Sequence, residues 1–295
     1  MDETLSTDWA GRLAEVMGEE PRAIAEMSGG CVSEVFEVTF ADRGPVVAKV
    51  NDDADSPLAC EAWMLQYLAT HSSLPVPAVL HTEDHLLVMT RLPGRPGLSD
   101  AAQQNAAEQL AALHQVTSPD GRFGLERETV IGGLPQSNNA SALWVPFFAE
   151  QRLCRMAECA QEEEMLPPSL YTRCQQFAAA LQGLNLLQEP TRPALLHGDC
   201  WGGNILADGD HVVGWIDPAI YYGHPEMELA FGTLFGTLDV PFFERYNQLN
   251  PIADEAGFWA VRRHVYNLYP LLVHVRLFGG GYVQQVDDLL RKLGY

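Results

Sequence analysis

Lysine is almost missing from this chain: of 295 residues only Lys49 and Lys292 are lysine, against sixteen arginines. Acid outweighs base throughout, with 39 Asp and Glu for a formal charge of −21. Such a surface repels phosphate backbones and anionic lipid, which argues against nucleic acid or a membrane as partner and leaves a basic or neutral substrate easier to accommodate. No run of about 18 apolar residues occurs, which excludes an evident spanning helix. Met1–Gly18 reads as an acidic amphipathic helix rather than a secretion signal, so a cytoplasmic location is expected. The six cysteines (31, 60, 154, 159, 174 and 200) show neither CxxC pairs nor His–Cys metal spacing. Reduced thiols fit better than a disulfide framework or a zinc site. Internal repeats and low-complexity tails are absent too.

Apolar residues make up 47% of the chain, enough to fill the core of one large domain or of two lobes. Between residues 31 and 40 apolar and polar residues alternate, with Val32, Phe36, Val38 and Phe40 on one face, and after the turn Asp42-Arg43-Gly44 the strand 45–50 returns. Ser56-Pro57 offers an N-cap and a first-turn proline for a helix to His71, with Leu58, Ala62, Leu65 and Leu68 buried. Two further strands are expected near 78–81 and 85–89. The pattern is α+β: a small antiparallel β lobe with one helix over residues 1–91, then a linker at 92–97. A larger, mainly α lobe over 92–295 follows, with helices at 99–116, 141–161, 168–187, 225–237 and 254–278, and one strand-rich island at 194–217.

That island holds the densest motif, His197-Gly198-Asp199-Cys200-Trp201-Gly202-Gly203-Asn204, followed by Val212-Val213-Gly214-Trp215-Ile216-Asp217. Moving a phosphoryl group to a hydroxyl needs a carboxylate beside that hydroxyl and oxygen ligands for magnesium on a triphosphate. A catalytic Asp, an Asn five residues later and a second Asp after a short hairpin are ordered that way in kinase-like enzymes, and Asp199, Asn204 and Asp217 reproduce the order. Taken singly, each reads as well as a turn, a loop exit or a strand end. Together they point to ATP and Mg2+. The arrangement predicts a lysine on the hairpin strand and an acidic partner on the next helix, and Lys49 and Glu61 stand there. Gly29, Gly30 and Ser33, in the turn Ser28–Ser33 between the first two strands, can approach phosphate oxygens, although a Gly-Gly turn is commonly just a hairpin. Met89, Thr90 and Arg91 occupy the hinge position where backbone groups would read adenine.

These residues resemble a known family. His197-Gly198-Asp199 to Asn204 fits a broad kinase group that includes aminoglycoside and choline kinases, and its Trp-Gly-Gly-Asn ending is similar to the HGDLWSGN motif of fructosamine (ketosamine) kinases. Gly29-Gly30-Cys31-Val32-Ser33 resembles that family's GGCIS loop, and Gly133–Asn138 its G-x-P-Q-x-N stretch, continued by Trp144, Phe147, Phe148, Arg152 and Leu153. Asp217–Ala230 resembles DPAxYYGHREADLA. The chain departs at Cys200 for Leu, Gly202 for Ser and Pro225 for Arg. The resemblance implies a protein-kinase-like fold and transfer of the ATP γ-phosphate to the 3-hydroxyl of a ketosamine, free or protein-bound, with release of the amine to follow. The protein would act as a monomer or weak homodimer.

In this reading Asp199 takes the acceptor proton, and Trp201 and His224 are candidates to touch substrate, though either side chain could equally be packing. His197 is expected to structure its loop, and His224 with Glu228 to hold the loop after Asp217 against the catalytic loop. Asp52, Asp53 and Asp55 read as a solvated turn. Cys31 in the glycine loop could be an oxidation switch or merely a small residue beside phosphate. Two competing functions stay open: a kinase for another hydroxylated amine, aminoglycoside- or choline-like, and a nucleotide-binding pseudokinase. The second is disfavoured because Lys49, Asp199, Asn204 and Asp217 are all present.

Overall fold

The computed structural model describes residues 8–27 and 32–295; Gly29, Gly30 and Cys31 lie outside the described residues. Strands β1 (Ala23–Glu26), β2 (Glu34–Thr39), β3 (Val46–Val50), β4 (Val79–Thr82) and β5 (Leu86–Thr90) form one antiparallel sheet in the order β1-β2-β3-β5-β4. The hairpin β2–β3 stands where alternation placed it, and β1 is an added edge strand, exposed at all four residues, whose short span gives no periodic signal.

Strand parity decides what each face carries. Val46, Ala48 and Val50 point to one side and pack with Val38, Leu86 and Val88 against Leu13 of helix α1 (Asp8–Met17). Leu87 and Met89 point to the other side, against Leu58, Ala62 and Leu65 of helix α2 (Leu58–His71). Lys49 shares that second face, paired in register with Leu87. The anticipated buried stripe of α2 is present, joined by Met64, and Ser56 Oγ accepts the Leu58 N–H at 3.4 Å at its start.

The expected linker is in part a strand. β6 (Arg95–Pro96) pairs with β10 (Ile205–Asp208), which pairs with β11 (His211–Trp215), so the crossing chain is stitched into the large lobe's sheet. Gly94, at φ +98°, lies so close to Ala207 and Val213 that no side chain fits there. Strand structure in the large lobe also exceeds the single island expected. A hairpin of β7 (Thr129–Ile131) and β8 (Leu134–Gln136) precedes it, and β9 (Ala194–Leu196) pairs with β12 (Tyr221–Gly223) just beyond.

The rest is helical. α3 (Asp100–Leu113) begins at Ser99, whose side chain accepts the Ala102 N–H. α4 (Trp144–Phe147) runs through a π-helical stretch, Phe148–Cys154, into α5 (Arg155–Glu162), and α6 (Pro168–Leu184) follows. α7 (Pro225–Leu234), α8 (Val240–Leu249) and the short α9 (Glu255–Gly257) lead through a second π-helical stretch, Phe258–Arg262, into α10 (Arg263–Phe278) and α11 (Gly281–Lys292). Helices α8 and α11 lie beyond those expected, although Asp239 caps α8 and Pro241 sits in its first turn. No helix among the described residues is long and apolar enough to cross a membrane.

One core fills this lobe, and it takes in Met64 and Leu68 of α2. Helix α2 therefore has two masters, its Leu58–Leu65 stripe belonging to the sheet and its Met64–Leu68 edge to the large lobe. The Tyr67 hydroxyl meets that of Tyr222 at 3.0 Å, and the Arg127 guanidinium lies over the Trp63 ring at 4.6 Å. These contacts hold the helix that carries Glu61 against the lobe that carries Asp199.

Candidate active site

A cavity of about 500 Å³ opens between the sheet and the helices. Its walls include Ser33, Lys49, Glu61, Met89, Thr90 and Arg91 from one side and Asp199, Trp201, Asn204 and Asp217 from the other. Lys49 and Asp217, 168 positions apart, thus meet across one space.

Lys49 is the hub. Its Nζ donates to Glu61 Oε1 at 2.6 Å and to Asp217 Oδ1, and the lysine is 9% exposed. Burial alone would lower the ammonium pKa; the neighbouring Asp217 and Glu61 carboxylates outweigh it and hold the group above its ordinary range. Burial, with Asp217 close by, pushes the Glu61 carboxyl up. Two carboxylates share one ammonium, so this cluster carries surplus negative charge that a cation would relieve.

Asp199 is held from its own loop. Asn204 Nδ2 donates to Asp199 Oδ2 at 2.8 Å and to its backbone carbonyl at 3.0 Å. Burial, then the Asp217 charge, raises the Asp199 carboxyl to about 7 against the Asn204 hydrogen bond. The loop geometry depends on glycine at two places. Gly198 has φ +87°, and a Cβ there would lie 2.0 Å from the Ala219 carbonyl oxygen; at Gly203 a Cβ would lie 2.4 Å from the Trp201 ring, which covers it. Serine at 202 would meet only ordinary contact with Thr237 at 3.4 Å, so that departure from the family motif is sterically neutral. Asp217 itself sits at φ +54°, a left-handed conformation uncommon outside glycine.

The surrounding polar residues lock the loops together. Glu228, buried, accepts the Gly198 N–H at 2.7 Å and meets His114 Nε2 at 2.8 Å, and His114 Nδ1 reaches Tyr246 Oη at 2.6 Å. Glu228 thus ties the catalytic loop to α3 and α7, and the Ala219 N–H, which donates to the His197 carbonyl at 2.8 Å, joins the two loops directly. Gln136 Nε2 donates to the Ala219 carbonyl at 3.0 Å while Tyr269 donates to Gln136 Oε1, and Asn138 Oδ1 accepts from Arg152. Arg152 is fully buried and its guanidinium stacks 3.9 Å from the Tyr221 ring centroid. The stretch 133–138 thus works from behind, fixing the backbone that follows Asp217.

Two readings change. His224 is absent from the cavity wall: its Nδ1 accepts the Glu226 N–H at the start of α7 and its ring packs near Trp144 and Tyr266, with burial lowering its pKa to about 3. His224 thus caps α7 and stands off the wall of the cavity that holds Asp199. At the hinge, the Thr90 N–H donates to Ala78 O at 2.9 Å and the Arg91 N–H to Pro45 O at 3.4 Å, so those two amides are engaged within the fold. His197 behaves as a loop residue, buried, its pKa lowered by that burial and its Nδ1 facing the Asp199 N–H at 3.4 Å. Trp201 stays on the wall, 40% exposed.

Phe231, His274, Leu277 and Phe278 line the same cavity and were not anticipated; their sequence signal is that of ordinary helix-core residues. For magnesium, the Asp217 carboxylate and the Asn204 amide oxygen are hard oxygen donors of the type the ion takes few of from protein and supplements with water and phosphate. The surplus negative charge around Lys49 suits such a cation.

Comparison with known proteins places this architecture. A family model described as fructosamine kinase matches residues 5–294. A probable ketoamine kinase of Synechocystis sp. is 32% identical over 292 residues, covering 96% of this chain and 95% of that protein. A Thermobifida fusca crystal structure assigned as a fructosamine-3-kinase superposes with a TM-score of 0.82 at 34% identity, covering 96% and 97% of the two chains. At 16% identity a macrolide 2'-phosphotransferase type I aligns with a TM-score of 0.66 over 98% of each chain, which extends the kinase-like fold to antibiotic phosphotransferases.

Proposed function

This chain belongs to the fructosamine kinase family, and we propose that it transfers the γ-phosphate of ATP to the 3-hydroxyl of ketosamines such as fructosamines or ribulosamines. The observation that carries the reading is the joining of Lys49, Glu61 and Asp217 across the cavity from an Asp199 held by Asn204. We assign residues 1–91 to holding the nucleotide and residues 92–295 to catalysis and the acceptor.

In this reading Lys49 faces the α and β phosphates, oriented by Glu61, which the two-sided packing of α2 keeps in place. Asn204 and Asp217 would hold magnesium, which supplies neutralisation of phosphate charge when bound. Ser33 lies at the phosphate end, and carbonyl groups of the 89–91 segment rather than the engaged Thr90 and Arg91 amides would read adenine. Asp199 accepts the proton of the acceptor hydroxyl, and its raised pKa suits a base working near neutrality. Trp201 forms an apolar wall beside that hydroxyl.

Phosphorylation at the 3-position makes the adduct labile, so the amine is released. The test is incubation of the protein with ATP, magnesium and fructosyl- or ribulosyl-amines, beside aminoglycosides and choline, with the product followed by phosphorus NMR. Phosphate on the ketosamine 3-oxygen with release of free amine is the expected result. Turnover confined to aminoglycosides or choline would discard the acceptor and keep the phosphoryl-transfer chemistry.

A further inference from the structure

The cavity ends differently on its two sides. Beyond Asp199 its wall is formed by the β7–β8 turn and by the adjoining faces of α7 and α10. A Cβ at Gly132 would lie 2.9 Å from Leu277 and one at Gly133 only 2.4 Å from Val32, so this turn fits tightly between α10 and the start of the β2 strand segment. His274 is the centre of an aromatic group there. Its ring lies 4.9 Å from Phe235, 4.9 Å from Tyr282, 5.6 Å from Phe278 and 6.4 Å from Phe231. Phe278 is 50% exposed and Phe235 39% exposed, in a chain whose charge of −21 shows no shortage of polar alternatives. An exposed aromatic on a cavity wall, Phe278, joined through His274 to a wider aromatic group marks a binding surface.

Charge is missing from this end. Among the described lining residues the formal charges belong to Lys49, Glu61, Arg91, Arg95, Asp199 and Asp217. None of these lies on the 130–133 or 273–278 segments. His274 Nδ1 bonds the Pro270 carbonyl at 2.7 Å, which places the proton on Nδ1 and leaves Nε2 as an acceptor. Burial lowers the pKa of this imidazole, so it does not oppose an approaching ammonium.

We propose that Phe231, His274 and Phe278 form the subsite for the amine carrier of the ketosamine and select carriers that end in an aromatic or branched apolar group. This deepens the reading of the reaction given above and rests on it. The sugar occupies the space between Asp199 and Trp201, and the carrier leaves along the aromatic wall, where an ionised side chain would find no counter-charge. Small-molecule amines and apolar N-termini fit this description better than the ammonium-bearing carriers of free lysine.

The test compares fructosyl-benzylamine with fructosyl-methylamine, which carry the same sugar and the same ammonium and differ by one phenyl ring. The expected kcat/KM ratio is about tenfold or more in favour of the benzyl adduct, the effect of removing one ring face from water. In Phe278→Ala the ratio should fall to about threefold or less, and Phe278→Tyr should keep it. A ratio near one in the unmodified protein, or one that Phe278→Ala leaves unchanged, overturns the subsite. Should neither adduct be phosphorylated, the reaction assignment fails, and calorimetric binding of the two adducts in the presence of a non-hydrolysable ATP analogue decides the subsite separately. Equal affinities would then overturn it.

Discussion

The two ends of the cavity are built on opposite principles. At the phosphate end, charged groups are fixed by strand register and by hydrogen bonds: Lys49 by its pairing with Leu87, Glu61 by the buried stripe of α2, Asp199 by Asn204. At the proposed acceptor end stands an aromatic group around His274, whose Nδ1 donates to the Pro270 carbonyl of its own helix. The first end suits a polyanion of constant structure, such as a triphosphate. The second suits ligands that share a sugar and differ in what hangs from it. Chemistry and selectivity are therefore separable by mutation.

The largest effect expected along this division is at Lys49. Lys49→Met should lower kcat/KM by about 10²–10³ through loss of a fixed charge on the phosphates, measured in steady state with ATP varied. The acceptor preference of any residual activity should be unchanged, and a shift in that preference would blur the division. Gly198→Ala comes next, since a Cβ 2.0 Å from the Ala219 carbonyl at positive φ should cost about 3 kcal/mol or more, read from denaturant unfolding. Tyr67→Phe removes the hydroxyl pair that ties α2 to Tyr222. A loss of about 1 kcal/mol, or about 2–4 °C in melting temperature, is expected. An unchanged melting temperature would mean that packing at Met64 and Leu68 alone holds the helix.

A pH dependence probes the same end of the cavity separately. Asp199 is raised from its ordinary value of 3.8 to about 7, so the folded chain holds that proton more tightly than the unfolded chain. The associated stability is fully present below about pH 4 and is lost as pH rises through about 7. Asparagine carries no such proton. Asp199→Asn should therefore melt higher than the unmodified protein above pH 7 relative to pH 4, without nucleotide or magnesium, and parallel melting curves across that range would contradict the burial argument.

The phosphate end was legible in the sequence because its chemistry demands fixed residue types at short fixed spacings. Asp199 and Asn204 must share one loop, and Asp217 must follow one hairpin. Lys49 stood out in a chain with one other lysine, on a strand whose alternation reveals its face. The acceptor end was not legible, because Phe231, His274 and Phe278 come from two helices whose apolar periodicity is that of any buried helix. His224 shows a related limit: position next to a motif does not reveal a helix cap, which the Nδ1 bond to the Glu226 N–H makes visible. The β7–β8 hairpin escaped because three-residue strands around Gly132-Gly133 and a proline give no usable alternation. The helices expected at 141–161 and 254–278 stand at 144–162 and 255–278, and what the sequence period did not announce is the π-helical stretch inside each, at 148–154 and 258–262.

One measurement tests the central claim most directly: single-turnover phosphorylation of a fructosyl-amine by Asp199→Asn, with ATP affinity determined on the same preparation. The account predicts a rate lower by about 10²–10⁴ with nucleotide binding retained. A near-normal rate would remove Asp199 from the proton-accepting role and with it the proposed division of the cavity.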